Sequence, residues 1–324
     1  MKNRFLILLS FVLIVGRDVV CANTSMVRER ININRDWRYQ IDDPDGVGAA
    51  LHYSRLKPYL LPCANDFIIF GKRYQRPEGN PGENIAYVKS DFDDSEWRHL
   101  NLPHDWAIEG PFNIDYNGST GKLPYWGIRW YRKTLELSQD DAGKQIYLDI
   151  DGAMSYVSVW CNGQYVGGWP YGYASFRLDL TPYIKAGQKN VLAIRLDNPD
   201  DTSRWYPGSG IYRNVWLVKT SPVHVEQWGT FVRNQQVDSE IAVMEMGVNI
   251  ENHAGKDVQV KLQTSVYLQG KDGRPVGEEV TQSMTKDIAI KKDSWSSARF
   301  QFKVDKPKLW DIDTPNCYVA VSRV

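Results

Sequence analysis

From Arg30 onward the chain returns repeatedly to one unit, a short β-branched or aromatic run closed by a turn signal, and no window keeps a helical period for three turns. Such runs can bury their apolar faces only against other strands, so the spacing predicts an all-β protein. The clearest strands are Trp130 to Leu137, Gln145 to Ile150, Tyr156 to Cys161, Phe176 to Leu180, Asn190 to Leu196 and Asn214 to Lys219. Asn162-Gly163 reads as a hairpin turn, because both residues tolerate positive φ. Residues 41 to 90 are rich in Pro, Gly and Asn and read as loops and edge segments, and Asp91 to Trp97 reads as a short helical turn capped by an aspartate.

The texture changes near Ser221-Pro222. Beyond it, plainer strands are expected at about 225 to 232, 240 to 252, 257 to 268, 278 to 290 and 296 to 304, a spacing that suits a second sandwich of about 100 residues. A chain of 324 residues has room for about two such domains. The apolar alternation from Tyr318 to Val324 reads as a last element cut short, as in a fragment, with a natural edge strand as the alternative.

The first residues have the three parts of a secretory signal: Lys2 and Arg4, an apolar stretch from Phe5 to Val15, and small-residue cleavage chemistry at Val20-Cys21-Ala22. Residues 1–22 are therefore expected to be removed on export, to the periplasm or outside the cell. A lipid anchor on Cys21 is the weaker alternative, since bulky Val20 precedes it. No later stretch approaches the ~20 apolar residues of a membrane helix, so no membrane contact is expected after signal removal. Cys63, Cys161 and Cys317 lack paired short spacing and read as buried small hydrophobes, not as a zinc site or a disulfide framework. Lysine plus arginine (39) equal aspartate plus glutamate (39), which leaves no basic field for nucleic acid. The 12 Trp and 18 Tyr suit either strands or sugar-stacking faces, and composition alone favours the former.

Four stretches stand out, by their order and spacing, between about residues 30 and 220. They are Asn101-Leu-Pro-His-Asp-Trp106; Leu123-Pro-Tyr125 with Gly127-Ile-Arg-Trp-Tyr-Arg-Lys133; Leu148-Asp-Ile-Asp-Gly-Ala-Met154 leading to Val159-Trp-Cys-Asn-Gly163 and Val166-Gly167; and Ser203-Arg-Trp-Tyr-Pro-Gly-Ser-Gly-Ile-Tyr-Arg-Asn-Val215. Together with Lys308-Leu-Trp310, Thr314-Pro315 and Tyr318, they make the chain similar to glycoside hydrolase family 2, the β-galactosidases, β-glucuronidases and β-mannosidases.

The resemblance implies a jelly-roll sugar-binding β-sandwich over residues 26–220 and an immunoglobulin-like β-sandwich over 221–324, in a family whose third domain is a catalytic (β/α)8 barrel. That barrel needs about 250 residues of alternating strand and helix, which this sequence does not contain, so no catalytic residue is assigned. The sandwich loops are expected to help hold the sugar. Gly208-Ser-Gly210 would let the backbone bend and present Arg204, Trp205 and Tyr206 for stacking and hydroxyl contacts, although these side chains could instead pack under their own loop. His104 and Asp105 are further candidates, against a structural role in which Asp105 caps turn amides. Arg204 stands where well-known β-galactosidases carry an aspartate that binds the sugar and a sodium ion, so no metal and no cofactor are expected.

The function implied is the accessory part of a secreted O-glycosyl hydrolase, of β-galactosidase type by preference, with a β-galactoside-type glycan as partner. The alternatives are a free-standing carbohydrate-binding protein and a non-functional remnant. As protein partners, another copy and a separate catalytic barrel both stay open.

Overall fold

The computed structural model describes residues 28–67, 71–118, 121–200 and 208–324. The expected signal segment, Cys21 included, lies outside them, as do Arg204, Trp205 and Tyr206.

The first sandwich contains β1 (Glu29–Asn32), β2 (Trp37–Ile41), the helix α1 (Tyr53–Leu60), β3 (Arg98–Leu100), β4 (Gly127–Glu136), β5 (Gln145–Ile150), β6 (Val157–Cys161), β7 (Gln164–Trp169), β8 (Phe176–Asp179), β9 (Lys189–Asn198) and β10 (Val215–Thr220). One sheet runs β1-β10-β5-β8 and the other β3-β2-β4-β9-β6-β7. Trp37, Tyr131, Leu148, Val159, Ile194 and Leu217 pack in the main core of this sandwich. Asn162 and Gly163 close the β6–β7 hairpin with φ of 52° and 81°, the mirror-image turn that matches strand twist.

Successive strand residues point to opposite faces, yet Trp130 and Tyr131 are both fully buried. Tyr131 faces the main core. Trp130 joins Trp160, Tyr165 and Ala193 under a second layer made by Leu51, Leu56, Leu60, Ile85, Val88 and Trp97. The segment between β2 and β3 thus covers the outer face of the six-stranded sheet, and part of it is helical where loops and edge segments were expected.

Asp91 to Trp97 is not the helical turn expected from the sequence. The guanidinium of Arg132, on β4 and 1% exposed, donates to the carbonyls of Tyr87, Lys89 and Phe92 and to Asp94, at 2.8 Å for Nε to Oδ2. Within this stretch the Phe92 carbonyl and the Asp94 carboxylate are taken by this side chain, while Asp93 accepts from the Ser95 amide at 3.0 Å in a local turn. Arg195 holds Asp43 in the same way through two 2.8 Å bonds, and Trp130 Nε1 donates to that carboxylate at 2.8 Å.

The second sandwich contains β11 (Val223–Val237), β12 (Ile241–Asn252), β13 (Val258–Gln269), β14 (Pro275–Val276), β15 (Met284–Ile290), β16 (Ser294–Asp305) and β17 (Tyr318–Arg323). Its sheets are β11-β12-β16 and a second one in which β13 pairs with β14, β15 and β17. Along β16 the alternation is clean: Ala298, Phe300, Phe302 and Val304 are buried and the residues between them exposed. Each buried phenylalanine contributes about 2–3 kcal/mol by leaving water. The strand pairings named within both sandwiches are antiparallel, and α1 is the one α-helix among the described residues, so no (β/α)8 barrel lies there. No described helix is long and apolar enough to cross a membrane. Cys161 is buried as expected, but Cys317 is exposed and Cys63 half-buried, because Cys317 falls on the surface loop before β17.

The sandwiches meet where Tyr147 of β5 packs on His224 of β11 with ring centroids 5.8 Å apart, beside Glu251, whose carboxylate accepts from Nε2 of His224 at 3.3 Å and of His253 at 3.4 Å. Burial pushes the Glu251 carboxyl up, but the two imidazoles outweigh it and hold it at about 2. Glu251 in turn raises His253. A depressed carboxyl stabilises fully above its unfolded value of 4.5 and loses that contribution as pH falls toward 2. A raised imidazole contributes below its unfolded value of 6.5 and loses this as pH climbs through its folded value. The pair's own contribution to stability, on the order of 1 kcal/mol after solvent screening, should therefore be largest between pH 4.5 and 6.5 and fall on both sides. Calorimetry across pH checks this, and Glu251→Gln should flatten the acid limb.

Candidate functional site: the loop cluster of the first sandwich

The stretches around His104, Tyr125, Met154 and Gly210 converge where β4, β9 and the segment before β10 meet the loop after β3, whereas the Asn162-Gly163 turn lies at the other end of β9. His104 is turned inward. Its Nδ1 lies 2.8 Å from the Tyr131 hydroxyl and its Nε2 3.2 Å from Glu109 Oε1, and burial lowers its pKa. Glu109 is clamped by Arg98 through bonds of 2.7 and 2.6 Å, and that pairing depresses its own carboxyl. The imidazole is thus fixed on both sides, with each nitrogen engaged by a protein group.

Asp105 faces the turn at Gly208 to Gly210. Its Oδ1 accepts from the amides of Ala107 at 2.9 Å and Ser209 at 3.1 Å, while burial raises its pKa against those bonds. Gly210 exchanges backbone bonds with Met154 at 2.9 and 3.0 Å, and the His104 amide donates to Ile211 O at 2.9 Å. A side chain at Gly210 would place Cβ 2.4 Å from the His104 carbonyl oxygen, in a backbone with φ of 90°. Only glycine lets these two loops lie so close.

Asn198, fully buried at the end of β9, was not singled out from the sequence. Its Nδ2 donates to the carbonyls of Tyr125 at 2.7 Å and Gly208 at 3.1 Å, and its Oδ1 accepts from Ser155 Oγ at 3.0 Å. The available signal was an asparagine directly before Pro199, at a strand end, where amide side chains commonly bond loop backbone. Tyr125 OH donates to Asp200 at 2.7 Å. The described residues on either side of 201–207, Asp200 and Gly208-Ser209, are therefore both anchored in this cluster.

Around the cluster lie aromatic and apolar faces. The Arg129 guanidinium sits 5.1 Å over the Trp106 ring, Trp126 meets Tyr116 edge-on at 4.8 Å and Tyr125 at 5.6 Å, and Phe112 is well exposed. Rings with fixed polar neighbours are what saccharide recognition uses. Among the described residues, no group of three or more His, Cys, Asp or Glu side chains is placed to hold a metal ion.

Residues 86–221 match the family profile "Glycosyl hydrolases family 2, sugar binding domain", and residues 223–324 match the profile "Glycosyl hydrolases family 2". The chain belongs to glycoside hydrolase family 2. Among curated family 2 relatives it is similar to the β-galactosidase BoGH2A of Bacteroides ovatus, 40% identical over 309 residues, which is 94% of this chain and 31% of that protein. The β-galactosidase of Thermoanaerobacter pseudethanolicus is 31% identical over 72% of this chain and 30% of its own length. A solved family 2 structure from Bacteroides cellulosilyticus aligns with a TM-score of 0.70 at 26% identity, covering 91% of this chain and 33% of that one. The chain thus spans about a third of the length of the family 2 relatives it matches.

Proposed function

We propose that these residues form the sugar-binding front part of an exported family 2 glycosidase that hydrolyses β-galactosides by a retaining mechanism, the carboxylates being supplied by a (β/α)8 domain. The observation that carries the reading is the 40% identity to a β-galactosidase across 94% of the chain. Supporting it, the loop cluster anchors both ends of the segment that bears Arg204, Trp205 and Tyr206, so those side chains would contact the sugar from one side while the barrel holds it from the other. Residues 1–22 would be removed on export, with the sandwiches occupying 26–220 and 221–324.

The test is to read the gene beyond the Val324 codon and to assay both the resulting product and the 324-residue chain on chromogenic β-galactoside and β-glucuronide. The reading expects turnover of the galactoside by the product joined to a barrel, and none by this chain alone. Preference for the glucuronide would overturn the sugar assignment. Turnover by the 324 residues alone would place the carboxylates within the sandwiches.

A further inference from the structure

A cleft of about 350 Å³ opens between the two sandwiches and shares no lining residue with the loop cluster. Its volume lies at the lower end of the range of small-molecule sites, about 300–1,000 Å³. Trp228 stands in its wall, 64% exposed. The register of β11 on β12 breaks between Val225 and Thr230, and within that bulge Trp228 adopts φ of 53°. Gly229 beside it has no room for a side chain, since a Cβ would lie 2.7 Å from Glu226 Cβ and 3.0 Å from Glu226 O. Bulges of this kind re-aim a side chain. This one turns an indole away from the sandwich core into the cleft, where the Phe67 ring lies 6.3 Å from it.

The polar lining is held in place by neighbours. Arg177 is locked to Asp149 by bonds of 2.6 and 2.8 Å and lies over the Tyr147 ring at 4.6 Å. Glu226 accepts from Asn249 Nδ2 at 2.9 Å, and Glu251 is held by His253. An exposed ring beside fixed planar donors and acceptors suits sugar hydroxyls and the apolar face of a pyranose.

Charge narrows the class. Three carboxylates, Asp179, Glu226 and Glu251, line the cleft together with Arg177 and His253, but the guanidinium is already paired with Asp149 and the imidazole with Glu251, which leaves Asp179 and Glu226 without a cationic partner in the lining. A uronate or sulfated sugar would meet repulsion there. We propose that this cleft is a second saccharide-binding site, separate from the loop cluster, that takes an uncharged glycan chain. It requires no catalytic domain.

Calorimetric titration of the purified chain with neutral tetraoses of galactose, glucose and xylose, and with tetragalacturonate, tests the proposal. At least one neutral tetraose is expected to bind, and tetragalacturonate at least tenfold more weakly. Trp228→Ala should weaken the neutral ligand by about tenfold or more, equivalent to about 1.4 kcal/mol. The thermal midpoint should stay unchanged, because the indole lies outside the core. Asp179→Asn combined with Glu226→Gln should bring tetragalacturonate binding up toward that of the neutral sugar. Absence of binding by any neutral tetraose up to about 10 mM, equal affinity for tetragalacturonate, or indifference to Trp228→Ala would each overturn it. Binding lost in Trp126→Ala but kept in Trp228→Ala would place the sugar at the loop cluster alone, leaving the proposed function standing and this cleft without its ligand.

Discussion

Arg132→Met is expected to lower the stability of the first sandwich by about 3–5 kcal/mol, the range for removing one partner of a buried charged network. The methionine would fill most of the same volume, so the loss comes from polarity rather than from a cavity. The carbonyls of Tyr87, Lys89 and Phe92 would lose their donor, and Asp94 its 2.8 Å partner. Arg132→Lys should recover little, because an ammonium cannot reach acceptors spread around a planar fork. Urea unfolding followed by tryptophan emission measures the effect, and Trp97 gives it a local reporter because the guanidinium lies 5.9 Å over its ring. A midpoint shift worth less than about 1 kcal/mol would show that water replaces the guanidinium without difficulty.

Gly210→Ala is expected to cost about 3 kcal/mol or more. Part is the strain of holding a residue with a Cβ at φ of 90°, about 1–2 kcal/mol. The rest comes from the methyl group's 2.4 Å approach to the His104 carbonyl oxygen and 2.8 Å approach to the Tyr131 hydroxyl, which forces the two loops apart. For a sandwich of this size the melting temperature should fall by about 6–12 °C. Saccharide binding at the loop cluster should weaken with it, because separating the loops breaks the Asp105 bond to the Ser209 amide that anchors one end of the 201–207 segment. A fully stable Gly210→Ala protein would mean that the loops do not touch in solution.

The strands were legible where burial is one-sided. β16 alternates buried and exposed residues, and the run from Phe176 lies on a strand that begins at that residue and alternates likewise, because period-2 patterning is what a two-layer sandwich imposes. The segment from residue 42 to residue 97 was not legible for a related reason. Its backbone is satisfied by side chains that lie far away in sequence, as Arg132 reaches Tyr87 O and Trp160 Nε1 donates to Pro81 O at 2.7 Å, and its own Asn80 side chain donates to the distant Gly163 carbonyl at 2.9 Å. Such long-range satisfaction leaves no local periodicity to read. At the site the same division holds. Asp105 and Gly208-Ser-Gly210 were visible because an acceptor and a flexible turn are local signals, whereas Asn198 acts through the three-dimensional convergence of β9 with two loops.

The antiparallel pairing of β1 with β10 sets an order on how the molecule is made. Glu29 lies opposite Lys219, so the first strand to emerge has no partner until about 190 further residues have followed it. Pairings this distant in sequence close slowly, since the entropy of the intervening chain must be lost before any contact compensates it. Until β10 arrives, β5 also lacks the neighbour that occupies one of its edges, and two bare strand edges face solvent together. The growing chain therefore passes through a long interval in which its first sandwich is open and adhesive, and a holdase binding within that interval would act on yield without touching the finished fold.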